Sequence, residues 1–237
     1  MTTPAADSRT APPPPLPGPK IHDRHPLALA LFGLTLVSGL IDAVSYLGLG
    51  HVFTANMTGN VVVIAFALAG APGFSVTGSL TSLAAFLLGA LLAGRIATRH
   101  AGTRRPAQLR TVFILEVALY GAAAAIVFVR NADGPGPAQY AVIALLALAM
   151  GIRNGTVRGL GVPDLTTTVL TLTLTGLAAD SRLAGGSAPR RRRKLLSVAT
   201  MLAGAAPGAV LVLHGQTAWA LVASAVLAGG TLLLYRE

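Results

Sequence analysis

Asp42 sits inside the apolar run "GLIDAVSYLGLGH", and the polar cluster "FTANMTGN" follows at 53–60. An aspartate can take up a proton or hold a cation. Thr54, Asn56, Thr58 and Asn60 add hydroxyls and amides, and Gly59 admits backbone angles that other residues avoid. Groups of this kind are expensive in hydrocarbon unless they are paired, hydrated or face a polar cavity. The pattern returns later in the chain. "TTVLTLT" at 167–173 aligns with "TANMTGN" at 54–60, setting Thr167 against Thr54 and Thr171 against Thr58. Upstream, "GIRN" at 151–154 aligns with "GLID" at 39–42 and sets Asn154 against Asp42.

The chemistry these residues could carry is binding. Asp42 lies roughly 15 residues into its apolar run, about 20 Å from its start at 1.5 Å per residue, deep in a hydrocarbon core of about 30 Å. One reading makes it a proton- or cation-binding carboxylate facing a polar cavity; the other makes it a locked packing element. A helix broken at 56–60 would present unpaired N–H groups at one half and unpaired carbonyls at the other, and Asn60 is the amide best placed to face a solute. The binding set is therefore Asp42, Asn56, Thr58, Gly59, Asn60, Asn154, Thr167 and Thr171.

Other polar residues have plainer readings. Glu116 lies nearer an interface, where it could snorkel, and an ion pair with Arg95 or Arg153 is its expected role. Asp164 reads as a helix cap. Arg153 and Arg158 read as orientation signals near a cytoplasmic end. The threonines of 166–175 either line a hydrophilic path or bond the carbonyl one turn back. His51 and His214 sit at helix ends and form no metal set.

Enzyme classes fall away. There is no cysteine, which removes thiolate metal sites and a cysteine nucleophile. The lysines are Lys20 and Lys194, expected outside the membrane, so a Ser–Lys dyad has no base. An HExxH zinc motif and a phosphate-binding loop ending in Lys-Ser/Thr are both missing from the sequence. An intramembrane aspartyl protease needs two aspartates, and Asp42 stands alone. The expectation is no enzyme, no cofactor and no metal. What remains is a secondary transporter or permease for a small solute, or alternatively a non-transporting scaffold or lipid-binding protein.

The elements that must position these residues follow from composition. Hydrophobic residues are 53% of the 237 and charged residues 11%, less than half the share of a soluble domain. Continuous apolar runs of spanning length make this an all-α, polytopic membrane helix bundle rather than a β-barrel. Residues 1–26, rich in proline, read as a disordered cytoplasmic tail; 27–237 form the membrane domain.

Eight apolar segments can be marked, at about 27–48, 55–71, 77–97, 110–130, 138–158, 165–180, 195–213 and 216–235. If all eight crossed, the basic stretches around 98–109 and 181–194 would face opposite sides, against the positive-inside rule. Treating the two shortest, most polar segments (the second and sixth) as broken or re-entrant leaves six crossings and places both basic stretches in the cytoplasm. The halves, about 27–130 and 138–235, then form an inverted repeat of three spans plus one broken segment each.

The formal charge of +10 is clustered at such loops, which points to the inner membrane and anionic lipids, not nucleic acid. Ala85, Gly89, Ala93 and Ala97 form a stripe of small residues suited to a homo-oligomer or to internal packing. Pro207 and Gly208 predict a kink.

"GLIDAVSYLGLGHVFTANMTGN", with "MGIRNGTVRGLGVPDLTTTVLT" in the second half, resembles the YoaK-type family of bacterial inner-membrane proteins across about residues 27–235. The resemblance implies multi-pass membrane topology and no substrate. The second half departs from the first where Thr171, Leu172 and Thr173 replace Thr-Gly-Asn, which weakens any symmetric polar site there.

Overall fold

The computed structural model describes residues 25–100, 105–130, 132, 134–160, 170–188 and 190–234. The tail before residue 25, Asp133, Asp164 and the candidate Thr167 lie outside the described residues.

Eight α-helices form among them: α1 Pro26–Ala43, α2 Met57–Leu68, α3 Val76–Arg99, α4 Arg105–Val129, α5 Pro137–Leu160, α6 Leu170–Ala179, α7 Arg191–Leu213 and α8 Thr217–Leu234. Local signals set their starts. Pro26 occupies the first turn of α1, where it has no hydrogen bond to lose, and His25 Nδ1 accepts from the Leu27 N–H at 3.2 Å. Ser75 caps α3 by accepting from the Gly78 N–H at 3.1 Å. α1 continues as a wider π-helical turn over Val44–Gly48, directly after Asp42. The chain then turns at Gly50 and His51, both with positive φ (79° and 58°).

Five helices are long and apolar enough to cross a membrane: α1 with its π-helical extension, α3, α4, α5 and α7. α8, at 18 residues, is about 27 Å long, close to the hydrocarbon thickness. The two remaining helices are the short ones expected. α2 has 12 residues, about 18 Å, too short to cross as a helix, and α6 has 10 among the described residues, about 15 Å.

The bundle is apolar on its outer surface and keeps a set of polar side chains within its apolar core. Leu87, Leu88, Leu91, Leu202 and Val226 face outward, while Arg153, Glu116, Asn60 and Ser82 are fully buried. A soluble protein has the reverse arrangement.

Helix pairing follows the two halves. Exchanging α1–α4 for α5–α8 converts the α1–α7 contact into α5–α3, α2–α3 into α6–α7, and α4–α5 into α8–α1, while α4–α8 maps onto itself; all of these pairs are in contact. The closest crossings obey the same exchange. Gly39 of α1 and Gly204 of α7 bring backbones together so tightly that a Cβ on either would overlap the Met201 or Leu36 carbonyl. Gly89 of α3 and Gly151 of α5 do the same against Leu148 and Phe86. Gly39 and Gly151 are the residues aligned in "GLID" and "GIRN".

One expectation changes and two gain detail. Of the small-residue stripe of α3, Gly89 and Ala93 lie against Gly151 and Gly155, the internal-packing alternative. The basic run at 190–194 is no loop; it opens α7, with Arg193 and Lys194 buried. Lys194 Nζ reaches Asp180 Oδ2 at 2.6 Å, tying the end of α6 to the start of α7. Pro207 sits inside an unbroken α7, next to Gly208, which packs on Leu40 and Ala43.

Candidate functional site

The stretch from His51 to Gly73 is an excursion whose ends meet. His51 Nδ1 lies 3.1 Å from the Gly73 carbonyl oxygen, and its ring lies 5.7 Å from that of Phe74. Between them the non-helical leg to Asn56 can reach at most about 17 Å, and α2 returns about 18 Å, so the two legs match in length. The chain therefore leaves and re-enters on one side of the bundle, with Asn56 at the tip.

Asn60 holds this loop together. Its side-chain oxygen accepts from the Phe53 N–H at 2.9 Å, and its amide nitrogen donates to the Phe53 carbonyl at 2.6 Å and to Ser82 Oγ at 3.2 Å. Ser82 Oγ donates to the same carbonyl at 2.6 Å. A segment outside regular structure has backbone groups to satisfy, and Asn60 with Ser82 satisfies those of Phe53. Asn60 is thus fully buried and turned toward Phe53, away from any cavity, which corrects the expectation of a solute-facing amide. Gly59 has helical backbone; its role is space, since a Cβ there would come within 2.7 Å of the Phe53 ring. Thr58 is exposed on the outer surface of α2.

The tip meets both halves. A cleft of about 230 Å³ is lined by Asp42, Ala55, Asn56, Leu170, Thr171, Leu174 and Met201. Asp42 comes from α1, about 24 Å from its start. Asn56 is the tip of the first excursion and makes no capping bond to α2. Thr171 is in the first turn of α6. The first turn of α2 opens at this cleft, with N–H groups that have no intrahelical partner. One carboxylate oxygen, Asp42 Oδ1, is buried with no hydrogen-bond partner among the described residues. Of the expected set, the fold brings together Asp42, Asn56 and Thr171. Asn154 is half-buried on α5 and does not line the cleft.

Behind Asp42 lies a network built on one of the two ion pairs expected for Glu116, that with Arg153. Arg153 of α5 is completely buried. Its Nε donates to Glu116 Oε1 at 3.1 Å and its Nη2 to Oε2 at 2.6 Å. Nη2 also donates to the Tyr120 hydroxyl at 3.0 Å, while Nη1 donates to the Leu34 carbonyl at 2.9 Å and Ser38 Oγ at 3.0 Å. One guanidinium so joins α1, α4 and α5 with its donors engaged, the condition under which a buried charge is tolerated. Ser38, which accepts from Arg153, is one helical turn before Asp42 on the same face of α1. Arg153 is therefore an interior anchor and not an orientation signal, and Glu116 does not snorkel. The usable signal was the spacing of Ser38 and Asp42 together with an arginine flanked by the apolar "ALAMGI".

The family described as Protein of unknown function (DUF1275) matches residues 30–234. The chain belongs to this family. Within the DUF1275 match fall the cleft, both short helices and the Arg153 network. The UPF0700 transmembrane protein YoaK of Bacillus subtilis (strain 168) is 35% identical over 147 residues, 62% of this chain and 64% of the relative. The matched region thus spans less than two thirds of that curated relative's length. No solved structure matches the chain. Membership, a transmembrane relative and the apolar spans together make this a multi-pass integral membrane protein.

Proposed function

We propose that this protein is a secondary transporter of a small polar solute in the cell inner membrane, binding it in the cleft between Asp42, Asn56 and Thr171. The observation that supports this is the convergence of three elements on one cleft: a carboxylate from a spanning helix, the start of α2 and the turn of α6 that carries Thr171. Inverted-repeat transporters place substrate at such broken segments near the midplane.

Asp42 takes the coupling role. Its unpartnered oxygen needs a proton or a ligand, because a bare carboxylate oxygen buried in an apolar bundle is unfavourable. Asn56 and Thr171 contribute one amide and one hydroxyl to solute recognition, and Met201 with Leu174 forms an adaptable apolar wall. Arg153, paired with Glu116, anchors α1 through Ser38, one turn before Asp42, without lining the cleft. No covalent chemistry is involved.

Two measurements test the reading. An Asn56→Cys variant in vesicles should react with a hydrophilic thiol reagent, since the cleft must reach water from one side. A thermal-shift screen against small metabolites across pH then supplies a solute for flux assays in proteoliposomes. Proton-linked flux should be lost in Asp42→Asn. A thiol at position 56 that is sealed from water, or equal proton-linked flux in wild type and Asp42→Asn, would overturn the proposal.

A further inference from the structure

A second concavity, of about 540 Å³, opens where α6 ends and α7 begins, and is lined by Leu177, Ser181, Arg182, Leu183, Arg191 and Leu195 among others. Its chemistry is divided. Arg182 and Arg191 are exposed, and Leu177 and Leu195, one from each helix, supply apolar surface beside them. Leu183 projects fully exposed from the one-turn 3₁₀ helix Arg182–Ala184. From Asp180 to Lys194 six cationic side chains face a single carboxylate, and that carboxylate is engaged by Lys194. Two guanidinium groups above a leucine-lined channel match a phosphate above an acyl chain.

The surroundings say why the place would be filled. α6 packs on α7 and the 3₁₀ turn, and Thr173 is its one buried residue. Among the described residues, α6 has one buried side chain, so most of its surface is open to lipid. Position agrees as well: the groove lies at the basic end of α7, where a membrane helix meets the headgroup layer.

We propose that an anionic phospholipid occupies this groove, its phosphate held by Arg182 and Arg191 and one chain lying along Leu177 and Leu195. The lipid completes the packing of α6 and so steadies the helix that carries Thr171. This site is independent of any solute in the cleft.

Native mass spectrometry of the full chain, released from detergent with equal amounts of phosphatidylglycerol and phosphatidylcholine, tests it. Wild type should retain one phosphatidylglycerol. Arg182→Gln/Arg191→Gln should weaken retention by about 30-fold, the loss of two headgroup-facing cations. Arg95→Gln/Arg99→Gln, on the other basic stretch, should leave it unchanged. Equal retention by the groove variant would overturn the site, as would an equal loss in the control pair, which would mean diffuse surface charge. Displacement by inorganic phosphate at lipid-like concentration would overturn a lipid as the occupant. A separate readout avoids the arginines: tryptophan placed by Leu183→Trp should be quenched more by brominated phosphatidylglycerol than by brominated phosphatidylcholine. Equal quenching would count against the proposal.

Discussion

Arg153 and Glu116, 37 residues apart in sequence, form an ion pair with both side chains at 0% exposure and 2.6 Å between Nη2 and Oε2. Removing one partner strands the other's charge in the bundle. Glu116→Ala should cost about 3–5 kcal/mol, whereas a double change of Glu116→Leu with Arg153→Met should cost less than either single change. Thermal unfolding of the detergent-solubilised variants measures both, and a double variant no better than Glu116→Ala would show that the pair contributes more than charge neutralisation.

Asp42 stands apart from that pair. Asp42→Asn keeps the shape and should leave the unfolding temperature within a few degrees of wild type while proton-linked flux disappears. A large loss of stability without any change in flux per folded molecule would make Asp42 a packing element.

The paired glycine crossings should be intolerant. A Cβ at Gly204 would overlap the Leu36 carbonyl, and one at Gly151 the Phe86 carbonyl, both backbone atoms that cannot swing aside. Gly204→Val and Gly151→Val should each destabilise by about 1–3 kcal/mol or more through overpacking. Gly94→Val, whose Cβ would meet nothing within 4 Å, is the control expected to be near neutral.

The loop closure fixes sidedness. Ala71→Cys, near the meeting point of His51 and Gly73, and Ser187→Cys, before α7, should be labelled by an impermeant maleimide from opposite faces of the membrane. Ser187→Cys is expected to react only from the cytoplasm. Labelling of both from the same face would overturn the re-entrant topology.

Asn60 offers a local test. Asn60→Ala removes the three bonds that hold Phe53 and Ser82, so the first excursion should loosen. Limited proteolysis should cut near residues 53–60 faster than in wild type, with a stability loss of about 1–3 kcal/mol.

What was legible in the sequence was whatever hydrocarbon imposes. Uninterrupted apolar runs marked the spans, their shortness marked α2 and α6, and arginine clusters argued for the crossing count. The association of Asp42 with the tip at Asn56 was readable because one acid in an oily run needs a polar neighbour nearby. The polarity of Asn60 was visible, but whether an amide faces backbone or cavity depends on the path of the chain at Phe53, which residue types do not encode. Arg153 carried two readings, an orientation signal and a partner for Glu116, because a positive charge near a helix end and one buried by a long-range partner look alike in one dimension. Glu116 and Tyr120 reach it only through the crossing of α4 and α5.

The bare-backbone crossings also bear on how such a bundle could change shape. Where Gly39 meets Gly204 and Gly89 meets Gly151, backbone lies against backbone, so a rearrangement there would slide one rod along the other rather than spread the pair. The guanidinium clamp ties α1, α4 and α5 together. α3 and α7, outside the clamp, are then the rods left to slide, and the part of the cleft wall formed by Met201 would travel with α7.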